Sequence, residues 1–263
     1  MVWPLKNPDS SASSSPDARS AAERVLDLEE SYSLWIRRIT EEQWARKFYV
    51  NPELVSSFAQ MTLLRKEYDR RPIYRLTKRI FDWSCAAFLL TSLLPLLAAC
   101  ALAVKLSEKG PIFFRQLRVG EMGQIFWIYK FRTMHNGAER LQFLTIAPMS
   151  KTDKDPRSTR VGHLLRHYKL DELPQLLNVL LGEMSLVGPR PLTLDDSSTT
   201  APEHLVRFAV KPGITGLWQA TIPNTSPGLS KIRLDAEYVA RRSWSLDLTL
   251  LLKTIPVVLK GEK

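Results

Sequence analysis

The chain has 263 residues, with 37 Lys and Arg against 27 Asp and Glu and a formal charge of +10 at pH 7. That length suits one main domain with its own core plus an accessory piece. The cationic excess points to an anionic partner (nucleic acid, an acidic membrane surface or a phosphate-bearing substrate) without choosing among them.

Two cysteines, Cys85 and Cys100, share one apolar stretch with no CxxC spacing. They read as small buried apolar residues of a reducing compartment, neither disulfide nor zinc site. Residues 1–22, rich in Ser, Ala, Pro and Asp, are predicted to be a disordered tail, and with no apolar h-region no secretory signal is expected. Residues 23–72 turn helical. "TEEQ" (Thr40 to Gln43) fits a capping box, and "NPEL" sets Asn51 at a cap and Pro52 at the first helical position. Leu54, Phe58, Met61 and Leu64 then share one face. With no nucleophile or ligand cluster, this accessory segment is expected to serve packing, membrane contact or partner contact.

Trp83 to Val104, "WSCAAFLLTSLLPLLAACALAV", carries no charge. As a straight helix it would reach about 33 Å, enough to cross a bilayer core. Pro95, near its middle, removes a backbone hydrogen bond and clashes with the preceding turn. Arg75, Lys78 and Arg79 flank it on one side and Lys105 and Lys109 on the other. Symmetric cations and a central proline suit a re-entrant pair of helices, and a kinked crossing span is the equal alternative; a soluble core helix fits the length less well.

"GPIFFRQLRVGEMGQIFWIYKFRTM" then reads as a β-hairpin, with strands over Ile112 to Val119 and Gln124 to Met134 around a "GEMG" turn. Phe126, Ile128, Lys130 and Arg132 fall on one face at period two. On their own the two cations read as a solvated edge, with one wall of an anion pocket as the alternative. Further on, His163 and His167 have the spacing of a helical zinc pair, but neither an HExxH glutamate nor a third ligand accompanies them. No Walker loop, G-x-S-x-G elbow or nucleic-acid motif is present.

The densest chemistry lies in "KLDELPQLLNVLLGEMSLVGPRP", Lys169 to Pro191. Pro174 belongs in a first turn, so a helix is predicted to begin near Leu173, with Leu176, Leu177, Leu180 and Leu181 as its apolar stripe. Asp171 and Glu172 then sit at its mouth, where unpaired amides and the macrodipole favour ionised carboxylates. Such a pair suits a hard cation like Mg²⁺, and an ionised carboxylate can also be a nucleophile toward phosphorus. Arg190, fixed between two prolines, offers a planar fork for phosphate. Together these features suggest phosphoryl transfer; none does so alone.

From about Tyr74 onward, the ordered motifs "KRIFDWS", "GPIFFRQLRVG", "IYKFRTM", "DPRSTRVGHLLR", "LDELPQLLNVLLGEMSLVGPRPL" and "KPGITGLWQA" resemble the bacterial sugar transferases, the monotopic phosphoglycosyl transferases. The tail "LDAEYVARRSWSLDLTLLLKTIPVVLKG" is similar too. The resemblance implies an α+β, mostly helical, monotopic membrane protein with a β-hairpin and amphipathic interfacial helices. Its transferase domain would span residues 73–263, with a re-entrant helix over 80–106 broken at Pro95. It implies transfer of a sugar-1-phosphate from a UDP-sugar to polyprenyl (undecaprenyl) phosphate with release of UMP, the first membrane step of glycoconjugate or exopolysaccharide synthesis. The expected place is the cytoplasmic face of a bacterial inner membrane, in contact with lipid. Carried over by motif, Asp171 is the nucleophile that forms a phosphosugar ester and Glu172 its helper in placing Mg²⁺. Arg190 is the phosphate clamp, Lys130 and Arg166 are cations near the site, and Gly213 and Thr215 belong to the substrate loop. One departure stands out: the family breaks its membrane helix at Ser-Pro, whereas this chain has Leu94-Pro95, leaving Thr91 and Ser92 one turn earlier to supply a hydroxyl. Retention of Asp171, Glu172 and Arg190 together argues against an inactive membrane scaffold, and dispersed cations argue against a nucleic-acid binder. Neither the sugar nor homo-oligomer formation is read from the sequence.

Overall fold

Pro72 opens helix α1 (Pro72–Ser92), a position where its missing N–H breaks no bond. The computed structural model describes residues 62–63, 65–66, 70–136, 138, 157–198, 202–223 and 226–261. The expected tail and most of the accessory segment, with its caps at Thr40 and Asn51 and the apolar face from Leu54 to Leu64, lie mostly outside these residues.

After Leu93 the chain enters α2 (Leu94–Ser107), and the two helices bend by 64°. Pro95 lies in the first turn of α2, so the break falls just ahead of it, as the clash with the preceding turn requires. Thr91 Oγ1 folds back to the carbonyls of Ala87 (3.0 Å) and Phe88 (2.9 Å), and Ser92 Oγ to that of Leu89 (3.3 Å). Such back-bonding bends a helix without needing the hydroxyl of a Ser-Pro pair. Among the described residues no single helix is long and apolar enough to cross a membrane, whereas this bent pair is, by length and composition.

The base of α1 differs from expectation. Lys78, expected as a flanking cation, is buried, 3.1 Å from Asp247 and 3.6 Å from Asp82. Asp82 accepts from Ser185 Oγ (2.7 Å) and the Leu186 N–H (3.3 Å), while Tyr74 and Tyr238 donate to Asp247 (2.9 and 2.7 Å). A carboxylate this deep is tolerable only when bonded and paired. The network therefore fixes α1 to the later helices and to the strand that begins at Ser185.

Strands β1 (Phe113–Val119) and β2 (Ile125–Phe131) form the antiparallel hairpin, turned through Glu121–Gly123. The second strand is shorter than predicted: it ends at Phe131, one last backbone bond running from the Arg132 N–H to the Ile112 carbonyl (2.9 Å). The Arg132 guanidinium turns to the carbonyls of Glu108 (2.7 Å) and Val104 (3.4 Å), closing the C-terminal end of α2. Neither the solvated edge nor the pocket wall describes Arg132.

Helix α3 (Arg160–His167) is capped by Thr159, whose Oγ1 accepts from the Gly162 N–H at 2.8 Å. Gly162 lies so close to the Thr133 backbone that a Cβ there would collide with it. A 3₁₀ segment (Leu170–Gln175) and the short helix α4 (Leu176–Leu180) follow. The helical course thus begins at Leu170 instead of Leu173, with Pro174 inside the 3₁₀ segment. The leucines also divide. Leu176 is buried, whereas Leu177 and Leu181 are exposed, and the inward positions of α4 are completed by Asn178 and Val179.

Asn178 is fully buried and closes the open edge of β2. Its Oδ1 accepts from the Tyr129 N–H (3.2 Å) and its Nδ2 donates to the Trp127 carbonyl (2.7 Å). The remaining strands are β3 (Ser185–Val187), β4 (Leu192–Thr193) and β5 (Gly213–Thr215). β4 extends the hairpin sheet in the order β2-β1-β4, and β3 pairs in parallel with β5. Around them lie α5 (Leu194–Ser198), a 3₁₀ segment (Pro202–Ala209), α6 (Leu217–Thr221), α7 (Gly228–Arg241) and α8 (Trp244–Lys260). The protein is mostly helical with two small sheets. Its main core joins Phe126 and Ile128 of the hairpin to Leu176, Val179, Val187 and Val239, and Cys100 sits in a smaller cluster with Val104, Phe131 and Leu165. Cys85 and Cys100 are unpaired.

Candidate active site

Lys169 has a left-handed backbone (φ 54°, ψ 21°), which turns the chain sharply out of α3 and into the 3₁₀ segment. Asp171 and Glu172 fall in the first turn of that segment, against β2, and the Glu172 N–H donates to the Lys169 carbonyl (3.2 Å). Lys130 reaches them from the inner face of the hairpin and Arg190 from the turn after β3.

The two carboxylates have different surroundings. Glu172 Oε1 accepts from Lys130 Nζ (2.6 Å) and Arg190 Nη2 (2.7 Å), and Oε2 from Arg190 Nη1 (3.4 Å). Among the described residues no hydrogen bond or ion pair reaches the Asp171 carboxylate, although its residue is 8% exposed. Burial pushes Asp171 up to about 6; Lys130 opposes this, Glu172 adds to it, and Arg166 and Arg190 oppose it. For Glu172 burial also opposes ionisation, but Arg190 and Lys130 overcome it and hold the group well below the usual carboxylate range. At neutral pH both are ionised, one bound in a cage of cations and one open to a reaction partner.

Arg166 is held by Thr133 Oγ1 (3.0 Å) and Ser158 Oγ (3.0 Å), beside the hairpin exit and within the field of Asp171. The "PGITG" loop lies under the arginine turn. The Gly213 N–H donates to the Pro189 carbonyl (2.8 Å) and the Gly188 N–H to that of Thr215 (2.9 Å). Gly188 and Gly213 touch main chain to main chain, an approach that a side chain at either would block. Thr215 is buried, with its hydroxyl bonded to that of Thr254 (2.7 Å). Both residues therefore support the turn that aims Arg190.

Three further residues border the site without having been singled out by sequence. Arg118 donates to the Pro191 carbonyl (3.0 Å), and burial, with Arg190 beside it, lowers it to about 10. It shares the inner hairpin face with Lys130, since Arg118 pairs with Phe126 and Phe114 with Lys130. Continuing the period-two reading onto the first strand would have found it. Arg207 and Asp235 meet beneath Arg190 and carry no such signal.

Four basic side chains thus face two carboxylates, a surplus suited to a diphosphate. The fit to Mg²⁺ is one-sided. Asp171 offers free hard oxygen lone pairs, while both oxygens of Glu172 are engaged by cations; one carboxylate plus substrate phosphates and water is an ordinary Mg²⁺ shell. Among the described residues no cluster of three acidic, His or Cys side chains could hold a metal, so His163 and His167 gain no third ligand.

The bacterial sugar transferase family model matches residues 73–261. An exopolysaccharide production protein ExoY of Sinorhizobium fredii is 41% identical over 202 residues, covering 72% of this chain and 88% of that protein. A UDP-glucose:undecaprenyl-phosphate glucose-1-phosphate transferase of Caulobacter vibrioides is 43% identical over 196 residues, covering 70% of each. A UDP-N-acetylgalactosamine-undecaprenyl-phosphate N-acetylgalactosaminephosphotransferase of Aeromonas hydrophila is 37% identical over 199 residues, covering 72% of this chain and 45% of the relative.

Proposed function

Because the chain belongs to the bacterial sugar transferase family, we propose that it transfers a sugar-1-phosphate from a UDP-sugar to a polyprenyl phosphate such as undecaprenyl phosphate. The observation that carries this reading is the contrast between an open Asp171 carboxylate and the caged Glu172 beside it. The reaction has two displacements at one phosphorus. An Asp171 oxygen attacks the phosphorus that bears the sugar; the P–O bond to UMP breaks, UMP leaves, and a phosphosugar-aspartyl ester forms. An oxygen of the polyprenyl phosphate then attacks that phosphorus, the bond to Asp171 breaks, and the free carboxylate returns with a polyprenyl diphosphate sugar as product.

Arg190 and Lys130 hold the diphosphate oxygens, exchanging their bonds to Glu172 for bonds to substrate, and Arg118 and Arg166 keep the surrounding field positive. Glu172 is the resting partner of both clamping cations, and once they turn to substrate its oxygens can join Asp171 toward a metal. Bound Mg²⁺ would neutralise charge on the diphosphate and the attacking group.

The lipid acceptor accounts for the apolar exterior. Trp83, Phe88, Leu94 and Leu102 of the bent pair are exposed, and so are Leu248, Leu252, Ile255 and Leu259 at helical spacing along α8. Apolar surface on this scale is what a lipid contact would use, and it supports this reading. The bent pair dips into the cytoplasmic leaflet of the inner membrane and returns, and α8 lies along the interface. The relatives' names include glucose and N-acetylgalactosamine donors, so a panel of UDP-sugars with undecaprenyl phosphate and Mg²⁺ is the test. UMP release from at least one donor, with an adduct in intact mass that disappears in Asp171→Asn, is expected. No release from any donor would overturn the reaction, and normal turnover by Asp171→Asn would overturn the covalent step.

A further inference from the structure

Arg207 and Asp235 form an ion pair (Nη2–Oδ2, 2.6 Å) that is 3% and 1% exposed, between the 3₁₀ segment Pro202–Ala209 and α7. A pair this deep loses most of its attraction to desolvation, so it is an inefficient way to stabilise a fold. The place where it points is more informative. The same Arg207 Nη2 donates to the main-chain carbonyl of Arg190 at 2.7 Å. Asp235 in turn holds Arg207 in place through Oδ2, while its Oδ1 makes no hydrogen bond among the described residues. The main-chain carbonyl of the arginine between the two prolines is therefore held by one member of a buried ion pair. Its neighbours in the turn are held by other groups, Pro189 by Gly213 and Pro191 by Arg118.

We propose that Arg207 and Asp235 are positioning residues for Arg190, Arg207 holding its peptide carbonyl and Asp235 holding Arg207, so that the guanidinium is aimed at a substrate phosphate. This rests on the transferase reading above. Flanking prolines narrow the backbone of Arg190 to extended conformations but leave the direction of the side chain to whatever holds the peptide plane. The ion pair supplies that hold in a form water cannot compete with. It touches neither substrate nor Asp171; its action passes through Arg190 alone.

The test is a mutant cycle against Arg190→Lys, which keeps a charge at the site but has no fork to aim. Arg207→Lys, Asp235→Asn and the apolar double replacement Arg207→Met with Asp235→Leu are each made in both backgrounds. With Arg190 present, kcat for UMP release should fall about tenfold to a hundredfold, the range expected when a reacting partner is misplaced by about an ångström. In the Arg190→Lys background the same changes should cost no more than about twofold, the scatter of unrelated sites. Calorimetric titration with UDP and Mg²⁺ gives a second readout that needs no turnover, and affinity should weaken only where Arg190 is intact.

Equal losses in both backgrounds, or no loss in either, would overturn the proposal and leave the pair a piece of the fold. If the apolar double replacement fails to fold, Asp235→Asn and Arg207→Lys complete the cycle. A wild-type protein that binds UDP but releases no UMP would overturn the transferase reading, with the UDP titrations then deciding the positioning role. A wild type that does neither would overturn both.

Discussion

Asp171→Asn should make the protein more stable at neutral pH while removing its activity. Burial lifts the Asp171 carboxyl from 3.8 to about 6, so the folded state binds this proton more tightly than the unfolded chain does. The sign follows directly. Above pH 6 the folded protein carries an ionised group in a place that disfavours it, and below about pH 4 the group is protonated in the folded state and half so or more in the unfolded chain. The penalty is therefore full at neutral pH and fades as pH falls through the window between the two values. A shift of about two units corresponds to about 3 kcal/mol at pH 7 and under about 1 kcal/mol at pH 4. Asn is nearly the same size, and since no donor bonds to the carboxylate among the described residues, the substitution orphans none. For a domain of this size the gain corresponds to a rise in Tm of roughly 6–12 °C. Thermal unfolding of the two proteins in detergent, at pH 7.5 and at pH 4, measures it. A variant less stable than wild type at pH 7.5, or a gain of the same size at both pH values, would refute the argument that burial strains this carboxylate.

Other substitutions should separate the roles around it. Since Glu172 raises the Asp171 carboxyl, Glu172→Gln should move the acid limb of kcat/KM, expected near pH 6, to lower pH while turnover falls; a limb that stays put would mean that another group titrates. Arg190→Lys should lower kcat about ten- to a hundredfold, because each charge-assisted bond it loses is worth roughly 1.5–3 kcal/mol; equal rates would make Arg190 structural. Exhaustive EDTA treatment should abolish UMP release and added Mg²⁺ restore it, and full activity without the metal would remove it from the reaction. In a background lacking Cys85 and Cys100, single cysteines at Ile73 and Leu106, which are 77% and 76% exposed, should resist an impermeant thiol reagent until cells are opened; labelling of either from outside would turn the bent pair into a crossing span.

How far this arrangement could be read from sequence depends on whether a residue's partner lies on a periodic element. Alternation put Lys130 on one face of a strand, where it read as a solvated edge, and only the family resemblance moved it to the site; the same alternation reaches Arg118 once the hairpin register is known. The break at Pro95 was legible because a proline cannot be carried inside a straight helix. Pro174 misled by three residues: it signals a helix start, but the chain from Leu170 already turns with 3₁₀ bonding, which propensity does not distinguish from an α-helical first turn. The division of the leucines in α4 failed for a related reason, since a helix of five residues is too short for its stripe to be set by periodicity. Lys78 looked like a surface cation because Asp82, one turn along the same helix, reads as an ordinary surface pair, and the distant Asp247 that meets both at depth has no sequence signal. Arg207 and Asp235 were invisible for the deepest reason. What they grip is the main chain of a loop, and a backbone group has no letter in the sequence.

Asn178 has a consequence for how far the segment that carries Asp171 can vary. A strand at the rim of a sheet usually meets its end in another strand, a proline or a charge; here one buried amide side chain satisfies the Tyr129 N–H and the Trp127 carbonyl on the outward edge of β2. Exchanging it for Leu would keep much of the volume and leave both groups buried without a partner. Such a variant would lose stability with every phosphate-binding cation in place. A screen scored on activity alone would count Asn178 among the chemical residues of that segment. Thermal unfolding of the same variant would move it to its proper class, a clasp between the segment and the hairpin.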